Sequence, residues 1–200
     1  MFLMPRALPR QITTPVVAVL ARLGVTPNQL TVGQLLGGIA AAALIAAGEL
    51  RWGGVVLLAS AALDAFDGTL ARSTGRATRF GGVFDSVIDR LFEGVVYGGL
   101  LYYFLDRGDK LESLLVFTAT VGSICVSYVR ARAEAEGVSL YDGIFTRVVR
   151  LVLLTFGLVA GGLTVVLWVL AVATVLTTFH RLFAVWLRLR NEEQAGGSGA

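Results

Sequence analysis

Cysteine, histidine and lysine occur once each in 200 residues, and charged residues make up only 16% of the chain. A lone Cys125 leaves no partner for an intramolecular disulfide. Its place inside an apolar run assigns it to packing rather than to nucleophilic chemistry. His180, beside Arg181, reads as a packing or interface residue rather than a catalytic one. Met1–Arg10 has neither the apolar core nor the small-residue cleavage site of a signal peptide, so none is expected. The alternation of apolar and polar residues that marks a transmembrane strand is missing as well. With Lys110 the only lysine, the net charge of +3 comes mostly from arginine. In a chain this apolar, that excess points to membrane topology and anionic lipid rather than to nucleic acid.

Apolar residues supply 56% of the chain and the mean hydropathy is +0.74. Runs of about 20 apolar residues recur, each enough to cross a bilayer as a helix. The expected fold is an all-α integral membrane protein, with six transmembrane helices preceded by an N-terminal interfacial amphipathic helix. A single domain is expected over residues 1–190, with the interfacial helix at 10–24, the six-helix bundle at 26–190 and a disordered tail at 191–200. For the first helix, Thr14 is a suitable cap, Pro15 suits the first turn and Gly24 the stop. Ile12, Val16, Val19, Leu20 and Leu23 recur there at helical spacing; a soluble packing helix is the alternative.

Thr26-Pro27-Asn28-Gln29 can form a capping box that starts the first span. This span reaches about Ala47, and its small residues suit close packing inside the bundle. Further spans are expected from about Trp52 to Arg72, Gly81 to Leu105 and Leu111 to Ala135, the last followed by Gly137 and a short loop to Gly143. Ile144 to Phe183 is about 40 residues, roughly 60 Å of helix and twice the hydrocarbon thickness, so Gly161-Gly162 is expected to divide it. This topology puts both termini on one side, together with Arg6, Arg10, Arg22, Arg72, Arg76, Arg79, Arg90, Arg130, Arg132, Arg147, Arg150, Arg181, Arg188 and Arg190. Only Arg51, Arg107 and Lys110 remain on the other side. The positive-inside rule assigns the arginine-rich side to the cytoplasm and the protein to the cell membrane.

Against that apolar background stands one run of aspartates: Asp64-x2-Asp67-Gly68-x2-Ala71-Arg72-x8-Gly81-x3-Asp85-x3-Asp89. At 100° per residue, Asp64 and Asp67 share a face with Gly68 and Ala71, and Asp85 and Asp89 share a face of the next helix. The eight-residue connection lets the two helices fold back as an antiparallel pair, which brings four carboxylates together at the cytoplasmic boundary. Their mutual repulsion calls for cations. Ligands that are all oxygen favour Mg²⁺, Mn²⁺ or Ca²⁺, and two such ions suit in-line displacement at phosphorus. Gly68, Gly81 and Gly82 leave room for a ligand, and Arg72 offers a fork for phosphate. The plainer alternative salt-bridges the aspartates to Arg72, Arg76, Arg79 and Arg90, although ionisable residues in membrane helices are functional by default. A cation transporter using the aspartates as its ion site is a second alternative.

The run matches every fixed position of the CDP-alcohol phosphotransferase signature, and by it the chain resembles that family. The resemblance implies a membrane enzyme that displaces CMP from a CDP-linked lipid by an acceptor alcohol. It implies two divalent cations, Mg²⁺ with Mn²⁺ possible, held by Asp64, Asp67, Asp85 and Asp89. Asp89 is also implied as the base that deprotonates the acceptor. Asn28, Gln29, Leu30, Thr31, Gly68, Arg72 and Thr78 are implied for the CDP-lipid, and a homodimer for the assembly.

A second set of residues bears on the acceptor. Arg130, Arg132, Arg147, Arg150 and Arg181 are expected on the cytoplasmic side, where clustered guanidiniums suit a phosphate dianion. Anchoring by the positive-inside rule and contact with anionic headgroups are the alternative, and fit Arg188 and Arg190 best. Ser127–Ala135, Arg10–Pro15 and Arg181-Leu182 resemble stretches of actinobacterial phosphatidylinositol-phosphate synthases. This narrower resemblance implies CDP-diacylglycerol as donor and 1D-myo-inositol 3-phosphate as acceptor, bound by Arg130, Arg132, Arg150 and Arg181. Arg130 stands where lysine is expected, and Thr146–Arg150 lacks the flanking acidic residues. Glycerol 3-phosphate is the alternative acceptor.

Overall fold

The computed structural model describes residues 10–140 and 145–197. Arg6, Gly143, Ile144 and the last residues of the tail lie outside them. Among the described residues there are seven α-helices: α1 (Arg10–Arg22), α2 (Pro27–Ala46), α3 (Leu50–Ser73), α4 (Arg79–Asp106), α5 (Lys110–Ala135), α6 (Arg147–Ala160) and α7 (Leu163–Gly197). They contribute to two compact units, Met1–Tyr103 and Phe104–Ala200.

The first unit is organised around α2. Its start is the capping box read from the sequence: Gln29 N–H donates to Thr26 Oγ1 at 3.4 Å, and Thr26 N–H donates to Gln29 Oε1 at 2.8 Å. Small residues then let backbones approach closely. A Cβ added at Gly53 of α3 would lie 2.5 Å from Ile45 Cγ1, and one at Gly99 of α4 would lie 2.5 Å from the Ala42 carbonyl oxygen. Phe92, fully buried, fills the space left by the missing side chain of Gly38. Helix α1 packs on α3, where Val17 and Leu70 form a buried cluster with Leu30 of α2. It ends as expected at Gly24 (φ +73°), where Val25 N–H reaches the Leu20 carbonyl and Gly24 N–H that of Ala21. The helix begins at Arg10, so Pro15 lies inside it rather than in its first turn.

In the second unit α7 packs along α5 and α6. Gly122 of α5 accommodates Thr174, and Gly157 of α6 accommodates Val166. Gly161 and Gly162, both at positive φ, separate α6 from α7 where the length argument put the break. Residues 191–197, expected to be disordered, instead continue α7, which is 35 residues long. The run Arg188–Gln194 keeps helix-forming side chains in phase with the apolar stretch before it, so nothing stops the helix at Asn191.

Large apolar side chains remain exposed in stripes at helical spacing, such as Val32, Leu36 and Ile39 on α2, and Val165, Val169, Val172, Leu176, Phe179 and Phe183 on α7. Surfaces like these are solvated by lipid. The buried hydroxyls of Ser60 and Thr174 return their hydrogen bonds to their own helix, to the carbonyls of Val56 and Leu170. Helices α2, α3, α5 and α7 are long and apolar enough to cross a membrane. The 14-residue α6 spans only about 21 Å, and α4 carries Asp85, Asp89, Arg90 and Glu93 between its start and its middle.

Candidate functional site

The first unit brings three of the four signature aspartates together. Asp64 and Asp67 come from α3 and Asp85 from α4, and one carboxylate oxygen of each lies within 4.8 Å of the others. Oxygens facing each other across one Mg²⁺ stand about 4.2 Å apart, and across Ca²⁺ about 5 Å. The spacing and the all-oxygen donor set therefore fit a hard divalent cation. Asp89 is half-buried and lies outside this group; four residues further along α4 carry it about 6 Å down the helix axis.

Asp67 is only 6% exposed, and the hydroxyl of Thr31 donates to its Oδ2 at 2.9 Å. That bond crosses from α2 to α3 and holds the carboxylate in one orientation. Nearby, Arg72 reaches the Thr69 hydroxyl at 3.5 Å and Arg90 the carbonyl of Ser86.

Beside it lies a cavity of about 190 Å³, lined by Pro27, Asn28, Thr31, Asp67, Gly68, Ala71, Arg72, Arg76, Ala77, Thr78, Gly81, Gly82 and Asp85. Two helix N-termini open into it. That of α2 brings Pro27 and Asn28. That of α4 brings Thr78, whose hydroxyl accepts from Gly81 N–H at 2.9 Å and so caps the helix. A Cβ at Gly81 would sit 3.0 Å from that hydroxyl, which explains glycine there. Helix N-termini and arginines attract anions, while the aspartates attract cations. A phosphate ester neutralised by divalent cations matches both ends of such a cavity.

Of the residues expected for a CDP-lipid, Asn28, Thr31, Gly68, Arg72 and Thr78 line this cavity. Gln29 and Leu30 are engaged elsewhere: Gln29 closes the capping box, and Leu30 is buried against α1 and α3. Arg76 belongs to the lining, although the sequence reading placed it only among the cytoplasmic arginines and the salt-bridge partners of the aspartates. The signal was present: it follows Gly75, whose positive φ turns the chain back after α3.

The arginines expected at the acceptor all lie in the second unit and divide into two kinds. Arg130 pairs with Glu134 at 2.9 Å and Arg132 with Glu136, both in exposed i,i+4 pairs on α5. Arg150 and Arg181 are buried, at 1% and 6% exposure, and Arg147 is half-buried. Arg181 donates to the Val126 carbonyl at 2.8 Å and Arg150 to that of Phe145 at 3.4 Å.

Lipid-facing helices and a carboxylate group beside an anion-attracting cavity are the architecture of a membrane-embedded transferase that handles phosphate esters with divalent cations. Comparison with known proteins makes this specific. A family model described as CDP-alcohol phosphatidyltransferase matches residues 24–190. The chain is 37% identical over 185 residues to a phosphatidylinositol phosphate synthase of Mycobacteroides abscessus, covering 88% of this chain and 84% of that one. It is 38% identical over 196 residues to that of Mycolicibacterium smegmatis, covering 92% and 88%. The crystal structure of Mycobacterium tuberculosis phosphatidylinositol phosphate synthase with CDP-DAG bound superposes with a TM-score of 0.80 at 36% identity, covering 88% of this chain and 94% of that one. The same enzyme in complex with manganese and citrate gives 0.79. The chain belongs to the CDP-alcohol phosphatidyltransferase family, and it is a membrane transferase. Transport, the alternative left open by the sequence, is set aside by that membership.

Proposed function

We propose that this protein transfers the phosphatidyl group of CDP-diacylglycerol to 1D-myo-inositol 3-phosphate, giving phosphatidylinositol phosphate and CMP. The observation that carries the reading is the convergence of Asp64, Asp67 and Asp85 beside a cavity lined by helix N-termini and arginines. The relatives at 37% and 38% identity bear the name of that activity over most of their length.

In this reading Asp64, Asp67, Asp85 and Asp89 hold the divalent cations, which supply neutralisation of the diphosphate and of the charge left on CMP. Thr31 fixes the orientation of Asp67. Asn28, Thr78, Arg72 and Arg76 bind and align the CDP-lipid phosphates, with the N–H groups at the start of α4 facing them. Asp89 accepts the proton of the acceptor hydroxyl as its oxygen bonds to the β-phosphorus and the bond to CMP breaks. Arg150 and Arg181 bind the acceptor's phosphate, with Arg147; Arg130 and Arg132 join them by exchanging their exposed glutamate partners for phosphate oxygens. Exposed pairs of this kind contribute little and are readily exchanged.

The finer topology completes the proposal. Helices α4 and α6 are the remaining two of six spans, with α4 dipping its charged half into the aspartate site. Helix α1 lies along the interface, the site opens to the cytoplasm from the cell membrane, and two copies form a dimer.

The test is CMP release by purified protein in mixed micelles of CDP-diacylglycerol with Mg²⁺, comparing inositol 3-phosphate, glycerol 3-phosphate and free inositol. Release with inositol phosphate in preference to the other two is expected. Preference for glycerol 3-phosphate would overturn the acceptor assignment, and no release with any acceptor would overturn the reaction.

A further inference from the structure

Gln34 of α2 is fully buried, and neither its carboxamide oxygen nor its nitrogen has a hydrogen-bond partner among the described residues. A buried amide without partners is costly, so its direction matters. Gly37 and Ala41 mark the side of α2 that meets α3, through Ser60 and Gly53. Gly38 and Ala42 mark the side that meets α4, through Phe92 and Gly99. At 100° per residue Gln34 falls between these pairs and faces the seam of α3 and α4, the two helices that carry the aspartates. Its depth follows from register. Helices α2 and α3 run antiparallel, and Thr31 meets Asp67. One turn further along α2 and one turn back along α3, the same register sets Gln34 against Asp64.

We propose that Gln34 is a positioning residue of the carboxylate centre: with the carboxylates drawn around a divalent cation, its Nε2–H donates to the oxygen of Asp64 turned away from the cation, as the Thr31 hydroxyl does to Asp67. Carboxylate ligands held by such hydrogen bonds keep their orientation, and removing the partner typically weakens metal binding 10–100-fold. The inference rests on the cation reading of the aspartates.

The experiment titrates Mn²⁺ into full-length purified protein without substrate, reads free Mn²⁺ by electron paramagnetic resonance, and follows thermal unfolding of the cation-free protein in parallel. Gln34→Leu keeps the volume and removes the polarity. It is expected to weaken Mn²⁺ binding roughly tenfold, with an unfolding temperature no lower than wild type and CMP release recovered at raised Mn²⁺. Gln34→Met is measured alongside, so that misfolding of one variant leaves the other to decide. If wild-type protein binds no Mn²⁺, the cation reading fails and this inference with it. If wild type binds and the variants bind as tightly, only the role of Gln34 falls. A loss of affinity that merely tracks a lowered unfolding temperature also overturns it.

Discussion

Replacing Thr31 by valine removes one hydroxyl and almost no volume, so it probes the Thr31–Asp67 bond without opening a cavity. The bond is 2.9 Å long and Asp67 is 6% exposed, so water is poorly placed to replace the lost donor. A hydrogen bond to a charged group contributes about 1.5–3 kcal/mol. At 1.36 kcal/mol per factor of ten, that is roughly a ten- to 150-fold effect. We expect it in the cation dependence. At saturating CDP-diacylglycerol and acceptor, the Mg²⁺ concentration giving half-maximal CMP release should rise at least about tenfold. Family resemblance assigns Thr31 to the CDP-lipid instead, and that role predicts a different pattern: a raised KM for CDP-diacylglycerol at unchanged Mg²⁺ dependence. A Thr31→Val enzyme that reaches the wild-type rate at wild-type Mg²⁺ would refute the idea that this bond orients a ligand.

Two further outcomes follow from the geometry. Asp67→Asn, which keeps the shape and the Thr31 contact site but removes the charge, should abolish CMP release; chelation with EDTA should do the same to wild type, with recovery on adding Mg²⁺ or Mn²⁺. Gly99→Ala drives a methyl against the Ala42 carbonyl, 2.5 Å away, and neither backbone can yield without shifting a helix. Overpacking of this kind costs about 1–3 kcal/mol, which should lower the unfolding temperature in detergent by several degrees, whereas Gly98→Ala, with nothing within 4 Å, should be close to neutral.

The helices were legible in the sequence because apolar length and punctuation agree. Gly24 and the pair Gly161-Gly162 stop or separate helices where expected, and Thr26 and Gln29 form their capping box. The aspartate spacing likewise foretold that α3 and α4 would bring carboxylates together. Three things could not be read. The place of Pro15 in α1 was misread because proline was given its commonest helical position, while α1 carries it inside. The Thr31–Asp67 bond joins residues 36 apart, and no local pattern reports which helix faces which. The end of α7 was lost because polar, glycine-containing composition at a terminus was taken for disorder, while the helix already formed upstream continues to Gly197.

The residues lining the cavity run from Pro27 to Asp85, and the compact unit containing them ends at Tyr103. That placement has a consequence for the order in which the protein is made. Chains are synthesised at about 5–20 residues per second and domains fold as units, N-terminal first. The remainder of the chain, from Phe104, therefore takes several seconds to follow. During that interval a membrane-inserted nascent chain already holds the complete set of carboxylates and helix N-termini. Cation capture by Asp64, Asp67 and Asp85 can thus precede the synthesis of Arg147, Arg150 and Arg181, carried by α6 and α7, and ambient Mg²⁺ during translation becomes a factor in how well the first unit assembles.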